Sequence, residues 1–545
     1  MLVHFSLLTF AGLVCVCVNS APTVQLGNAT LVGLAIPSFG QDFFGGIPFA
    51  EPPLGSLRLQ PPVLLTSPAA GTFNATNFGL ACLQTDLTLT EVSEDCLTIN
   101  VLRPTGTLAG AKLPVMFWTF SGGFSEGSAA FENASTIVSE SVLRGTPVIY
   151  VNFNYRLGPL GFPQGLEAEM KGALNLALKD QLTALEWVQL NIGAFGGDKE
   201  KVTVFGQSAG SIMTSILFLN SPLTTLARAA IFESGSQATL ALFPAERGEL
   251  DWQNFVRGVP HCASVATSGD TFSCLRDVNS TEIFQGLAAA LTESANEFPF
   301  APVIDGSDGL IPDLPSVLFK RGQFARLPFI AGTNLDEGTL FTNQAVNSTE
   351  EINVTLFNQS SPSISPTTLE QSVLTLLQLY PDNPALGSPF GTGNATFGLS
   401  PQFKRAAAIV GDLQFTSQRR IWIETASNAG VPTYGYLFTQ PQPDSGEPAL
   451  GVFHGSEGAF VYGTPSDPSA SSAFLSLAMI NYWVSFATSL TPNDGLGAPR
   501  PEWTQFTPEN KVVIQLNGAN LTMIPDDFRA EQMTFINSDP IIWRH

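Results

Sequence analysis

The sequence predicts an α/β fold with a large, mostly parallel central sheet flanked by helices. Short apolar runs rich in β-formers recur at 114–120, 147–154, 202–206, 229–234, 328–334 and 432–439. Segments with helical spacing lie between many of them. The clearest is 174–191, where Leu178, Leu182, Leu185 and Val188 recur three or four residues apart before the chain re-enters a strand at Val202. Strands and helices that alternate in this way bury a parallel sheet on both faces. A third signal is local: residues 202–211 read as a strand turning sharply into a helix.

Composition sets the outer limits. The 545 residues contain no low-complexity or charge-rich linker, so 21–545 reads as one large domain. Hydrophobic residues make up 44%, with 41 Phe, enough for a sizeable core and against disorder. The formal charge is −22 although only 13% of residues are charged, about half the usual ~25%. Nucleic acid is excluded as a partner, because phosphate binding needs clustered Lys and Arg and no basic run occurs.

At the N-terminus, Leu2 to Val18 form an apolar stretch ending at Val18-Asn19-Ser20, so 1–20 reads as a signal peptide cleaved after Ser20. An uncleaved anchor is the alternative, since no Lys or Arg precedes the apolar stretch. His4, Ser6 and Thr9 within a barely spanning length disfavour it. The mature chain is therefore expected outside the cell.

Cys82, Cys96, Cys262 and Cys274 remain after cleavage. Of the three possible pairings, near neighbours cost the least loop entropy, giving Cys82 with Cys96 and Cys262 with Cys274. Only His261 lies near any of them, which disfavours zinc. Nine Asn-x-Ser/Thr sequons, three of them crowded into 347–360, suggest a glycoprotein with an exposed excursion there. The uncharged stretch 472–490 could be mistaken for a membrane span, but its Ser, Asn481, Tyr482 and Trp483 favour a buried core helix. No stable span is expected in the mature chain.

The chemistry centres on Ser208. A serine held in a strained strand-to-helix turn would collide with larger neighbours two positions away, and Gly206 and Gly210 relieve that crowding. The helix beginning there directs N–H groups toward developing negative charge. Such a motif also arises by chance as an inert glycine-rich turn, so its partners decide its meaning. An acyl-transfer serine needs a base, and the mature chain has His261, His454 and His545. His545 is terminal and expected to fray, and His261 adjoins Cys262. His454, in a loop after a strand, is the candidate. The acid that holds its imidazole is expected at Glu337, just past a strand end, with Asp336 the chemical rival.

These residues carry a resemblance. The run 172–181 (GALNLALKDQ), with Trp187-Val188, Asn191-Ile192, Phe195-Gly196-Gly197-Asp198 and Gly206-Gln207-Ser208-Ala209-Gly210, closely resembles the type-B carboxylesterase/lipase family, which includes cholinesterases and fungal lipases. Further ordered matches are 46–53 with Arg58, 93–97, 154–158 and 481–493, so the likeness extends over almost the whole mature chain. It implies an α/β-hydrolase fold and a serine ester hydrolase working through an acyl-enzyme on Ser208, with Glu337 and His454 completing the triad and no metal or organic cofactor.

By the same resemblance, Gly122 and Gly123 with Ala209 are the oxyanion donors. Ser121 stands where relatives carry a first glycine, a change that removes no donor. Ser234 is expected to orient Glu337, and Arg58 with Glu94 and Arg156 with Asp180 look like the family's buried ion pairs. Gln207 replaces a Glu found in many relatives; it is expected to bond Glu457 and leave His454 less stabilised as imidazolium.

The loop closed by Cys82 and Cys96 is short beside the flap of interfacial relatives, so a lightly gated entrance is expected. It contains no Trp, Tyr or Phe to receive a choline head group. Apolar or lipid-like esters are the expected substrates. A catalytically silent adhesion module on the same scaffold is the alternative; such members lack a triad residue, and here all three are present.

Overall fold

The computed structural model describes residues 21–219, 221–294, 296–443 and 445–545. The signal-peptide reading of 1–20 falls outside them. One sheet of thirteen strands organises the molecule. In chain order they are β1 (Thr23–Leu26), β2 (Ala29–Ile36), β3 (Gln41–Pro48), β4 (Gly71–Ala75), β5 (Thr98–Pro104), β6 (Leu113–Thr119), β7 (Ile149–Phe153), β8 (Gly197–Gln207), β9 (Ala229–Glu233), β10 (Phe329–Asn334), β11 (Thr433–Phe438), β12 (Val512–Leu516) and β13 (Thr522–Pro525). Across the sheet the order is β1-β2-β3-β5-β7-β6-β8-β9-β10-β11-β12-β13, with β4 on the side of β2.

From β7 to β12 every neighbouring pair is parallel. Antiparallel hairpins close both edges. The six runs singled out in the sequence are β6 to β11. Their residues are almost all buried, the consequence of helices covering both faces.

Those helices fall where the apolar spacing put them. Leu176–Asn191 buries Leu178, Leu185, Trp187 and Val188. The uncharged helix Ala470–Ser489 is capped by the Ser469 side chain accepting from Ser472 N, and 72% of its most apolar stretch is buried in the protein. Trp422 is stacked between Phe319 and Phe329, at ring distances of 5.0 and 4.9 Å. A second apolar cluster forms among helices Thr349–Asn358, Pro366–Leu379, Pro401–Gly411 and Ala530–Ser538.

Buried ion pairs tie the layers together. Arg58 forks onto both oxygens of Glu94 at 2.6 and 2.7 Å, and Arg156 onto both oxygens of Asp180 at 2.9 and 2.6 Å. A third, invisible in the sequence, joins Arg419 and Arg420 to Asp526. Disulfides link Cys82 to Cys96 and Cys262 to Cys274.

One expectation needs correction. His545 is not frayed: it is 3% exposed, bonded to the Gln418 amide, and burial pushes its pKa down to about 3. The sequon-rich segment is exposed at Asn347 and Asn358 and is folded, since Thr349–Asn358 is a helix that buries Ile352 and Leu356.

Candidate active site

The carboxyl ends of the parallel strands carry every candidate residue, the place where open α/β sheets bind ligands. β6 leads into Ser121, Gly122 and Gly123; β8 ends one residue before Ser208; β9 ends one before Ser234; Glu337 follows β10, and the His454 loop follows β11.

Ser208 sits at φ +52°, ψ −124°, a conformation costly for a residue with a Cβ, on the order of 1–3 kcal/mol. Its N–H donates to Glu233 O at 2.9 Å and the helix Ala209–Leu217 starts directly after it. The flanking glycines are required sterically. A Cβ on Gly210 would lie 2.0 Å from Thr119 O, and one on Gly206 2.7 Å from the Gly210 carbonyl carbon. The tight turn thus lets β6, β8 and the helix approach closely.

His454 places Nδ1 2.5 Å from Glu337 Oε2, with Glu337 only 1% exposed. The other oxygen of Glu337 accepts from Asn334 N at 2.7 Å. An imidazole that donates from Nδ1 to this carboxylate carries its lone pair on Nε2, the form that can accept a proton from a serine. Asp336, the rival acid, faces elsewhere: its oxygens accept from Ser388 Oγ, Phe390 N and Val452 N, which braces the loop leading to His454. Burial raises its pKa.

Two partner assignments change. Ser234 Oγ donates to Glu457 Oε1 at 3.2 Å rather than to Glu337. Gln207 does not reach Glu457; its Nε2 lies 3.4 Å from His454 Nε2. Glu457 is fully buried and accepts from both Ser234 and Asn334 Nδ2, while burial and then the charge of Glu337 raise its pKa. Asn334 therefore bonds both carboxylates, a role with no signal in the sequence beyond its position at a strand end.

The glycine loop after β6 is held open to the cavity. Gly122 (φ +103°) and Gly123 (φ +56°) occupy backbone conformations that suit glycine, and a Cβ on Gly122 would lie 2.1 Å from Glu126 O. Ser125 N and Glu126 N close the turn onto Gly122 O, and Tyr155 Oη donates to Phe120 O at 2.9 Å. Ser121 is accommodated at the start of this turn. The Cys82–Cys96 loop is pinned to it, since Gln84 exchanges two 2.8 Å hydrogen bonds with the Gly127 backbone.

Ser208, His454, Gly122 and Gly123 line one cavity of about 770 Å³. Phe341 and Phe415 each pack 4.8 Å from the His454 ring, and Phe298 joins Phe341 to the glycine loop. Nothing in the sequence separates these phenylalanines from the others that fill the core. The cavity also carries carboxyls: burial pushes Glu132 and Glu297 up to about 7, and a hydrogen bond with Asp86 followed by burial does the same to Glu126. Apolar walls, an oriented imidazole, a strained hydroxyl and a glycine turn with N–H groups together suit acyl transfer.

Comparison with known proteins agrees with this chemistry. The chain is 35% identical to "Secreted lipase 1" of Botryotinia fuckeliana over 95% of its own length and 93% of the relative. It is 36% identical to "Secreted triacylglycerol lipase LIP1" of Gibberella zeae, covering 94% and 90%, and 34% identical to "Lipase 2" of Geotrichum candidum, covering 91% and 92%. The crystal structure of Aspergillus niger EstA superposes with a TM-score of 0.82 at 26% identity, over 97% of this chain and all of that one. The model of the carboxylesterase family matches residues 20–536, and the chain belongs to that family.

Proposed function

We propose that the protein is a secreted serine carboxylic ester hydrolase that forms an acyl-enzyme on Ser208 and acts on apolar or lipid-like esters. The family supplies the reaction class, carboxylic ester hydrolysis. The observation that carries the residue assignment is His454, bonded through Nδ1 to buried Glu337 and lining the same cavity as Ser208. In this reading His454 takes the Ser208 proton as the hydroxyl attacks the ester carbonyl. The imidazolium that forms is stabilised by Glu337, and the N–H groups of Gly122, Gly123 and Ala209 receive the oxyanion. His454 then protonates the departing alcohol, and a water activated by the same imidazole releases the acid. Ser234, Glu457 and Gln207 act as supporting residues around the base.

Secretion is supported by the names of the fungal relatives and by the apolar leader at 1–20. The single sheet and the family match from 20 to 536 support one catalytic domain over 21–545. The silent-module reading is not favoured, since the relatives are lipases and the reacting groups converge.

A fluorophosphonate probe tests the assignment. It is expected to label the folded protein at Ser208, with labelling lost in Ser208→Ala and strongly slowed in His454→Ala. A folded protein that stays unlabelled, while hydrolysing no p-nitrophenyl ester of any chain length, would overturn the reading.

A further inference from the structure

Carboxyl side chains line the catalytic cavity without any cation to balance them. Among the described residues its walls carry Glu126, Glu132 and Glu297 but no Lys or Arg. The one basic group, His454, must be neutral to take a proton from Ser208. Glu126 and Glu297 are exposed to solvent, so a substrate entering the cavity meets them, whereas Glu132 is set deeper.

The fold fixes both exposed acids in place. Glu126 N donates to Gly122 O at 3.0 Å, which holds this residue beside the glycine turn, and its carboxyl shares a hydrogen bond with Asp86 of the Cys82–Cys96 loop. On either side of Glu297 the chain is anchored: Ser294 Oγ and Asn296 Nδ2 donate to the two oxygens of Asp251 at 2.7 and 2.8 Å, and the Phe298 ring packs 6.1 Å from Phe341. Glu297 also lies within electrostatic reach of His454. Phe131, Phe298, Leu340 and Phe341 supply apolar wall around these carboxyls, and walls of low dielectric focus a field into the opening. A space of about 770 Å³, taken as a sphere, has a radius of ~6 Å. At ~6 Å and an effective dielectric of about 40, one like charge lowers association about tenfold.

We propose that Glu126 and Glu297, with Glu132 deeper in the wall, make the cavity a charge filter that takes uncharged and cationic esters and rejects esters bearing a carboxylate on either side of the scissile bond. This rests on the Ser208 hydrolase reading and narrows its substrate class. Partial desolvation pushes Glu132 and Glu297 up to about 7, and the hydrogen bond with Asp86 does the same for Glu126, whereas ordinary surface carboxylates are already ionised at pH 5.5. The other groups facing them leave this window intact: Trp118 carries no charge, Tyr150 and Tyr462 are held protonated by burial, and His454 reacts only as the neutral base. Rejection is therefore weak at pH 5.5 and full at pH 8.5.

The test compares kcat/KM of the full-length enzyme at low ionic strength on charged and neutral esters of matched shape. The butyrates of 3-hydroxybenzoate, 3-hydroxybenzamide and 3-hydroxyphenyltrimethylammonium vary the charge on the alcohol side, and the monophenyl ester of adipic acid and its amide vary it on the acyl side. Each rate is divided by that of hydroxide on the same ester. At pH 8.5 the anionic esters are expected to fall about tenfold below their amide counterparts, closing to about threefold or less at pH 5.5, with the cationic ester no slower than the amide. The double variant Glu126→Gln with Glu297→Gln is expected to shrink the pH 8.5 gap to its pH 5.5 value. Glu186→Gln with Glu350→Gln, which removes the same charge from exposed positions outside the cavity, is expected to leave the gap unchanged. A gap missing at pH 8.5, a gap equal at both pH values, a cationic ester as slow as the anionic one, or equal narrowing in both double variants would overturn the filter. The wild-type series decides the matter even if a variant fails to fold, and inactivity on every neutral ester would count against the hydrolase reading instead.

Discussion

Two buried carboxylates stand near His454, and their replacement by glutamine separates their roles. Glu337 Oε2 is 2.5 Å from His454 Nδ1, whereas both oxygens of Glu457 are engaged by Ser234 and Asn334. When the imidazole becomes positively charged, Glu337 stabilises it at short range. Taking ~4 Å between charge centres and an effective dielectric of about 20 gives ~4 kcal/mol, roughly a thousandfold in rate. The amide of Glu337→Gln can also present its NH₂ to Nδ1 and enforce the wrong tautomer, an effect worth about 10⁴-fold in the serine protease triad. Glu337→Gln is thus expected to lower kcat on soluble p-nitrophenyl butyrate by about 10³–10⁴, with KM and the circular dichroism spectrum little changed. Glu457→Gln is expected to cost less than about tenfold, because its contact with His454 runs through Asn334 and the loop. A Glu337→Gln enzyme within tenfold of wild type, or a greater loss in Glu457→Gln, would refute this division of labour.

Two further outcomes follow from buried charges. Glu233 is fully buried and accepts from Trp483 Nε1, while among the described residues its Oε2 has no partner; burial, then Glu457, raises its pKa well above the ordinary 4.5. A carboxyl with a raised folded pKa contributes its stability fully below about pH 4.5 and loses it as pH climbs through the folded value. Glu233→Gln should therefore raise the melting temperature at pH 7–8 and change it little near pH 4; equal shifts at both pH values would contradict the burial argument. Arg156→Met leaves Asp180, a fully buried carboxylate, with the Arg156 backbone N–H in place of its two guanidinium bonds. The expected loss is ~3–5 kcal/mol, or about 3–5 °C by thermal scan for a chain with ~2.1 cal/mol/K of unfolding entropy per residue, and a shift under 1 °C would show the pair to be dispensable.

Much of the site was legible because its signals are short-range. The strand, the glycines at 206 and 210 and the helix after Ser208 lie within one turn of one another, so steric need alone marks them. His454 followed from the scarcity of histidines, and the disulfides Cys82–Cys96 and Cys262–Cys274 from short loops. The partners of Ser234 and Gln207 were misassigned for the opposite reason. Each bond spans more than two hundred residues, and which carboxylate meets which hydroxyl depends on side-chain direction at neighbouring strand ends. His545 was read as frayed because terminal position is a statistical guide, whereas Gln418 and the surrounding core bury it.

By itself, then, the sequence determined the periodicities that make strands and helices, the strained turn at Ser208 and the set of groups able to move a proton. The tertiary structure alone decided that β7 lies between β5 and β6, that phenylalanines from two distant segments, Phe341 and Phe415, pack beside His454, and that Ser234 meets Glu457. Local patterns repeat every two or 3.6 residues and carry no address for a partner; strand order and register supply that address when the sheet closes over its core.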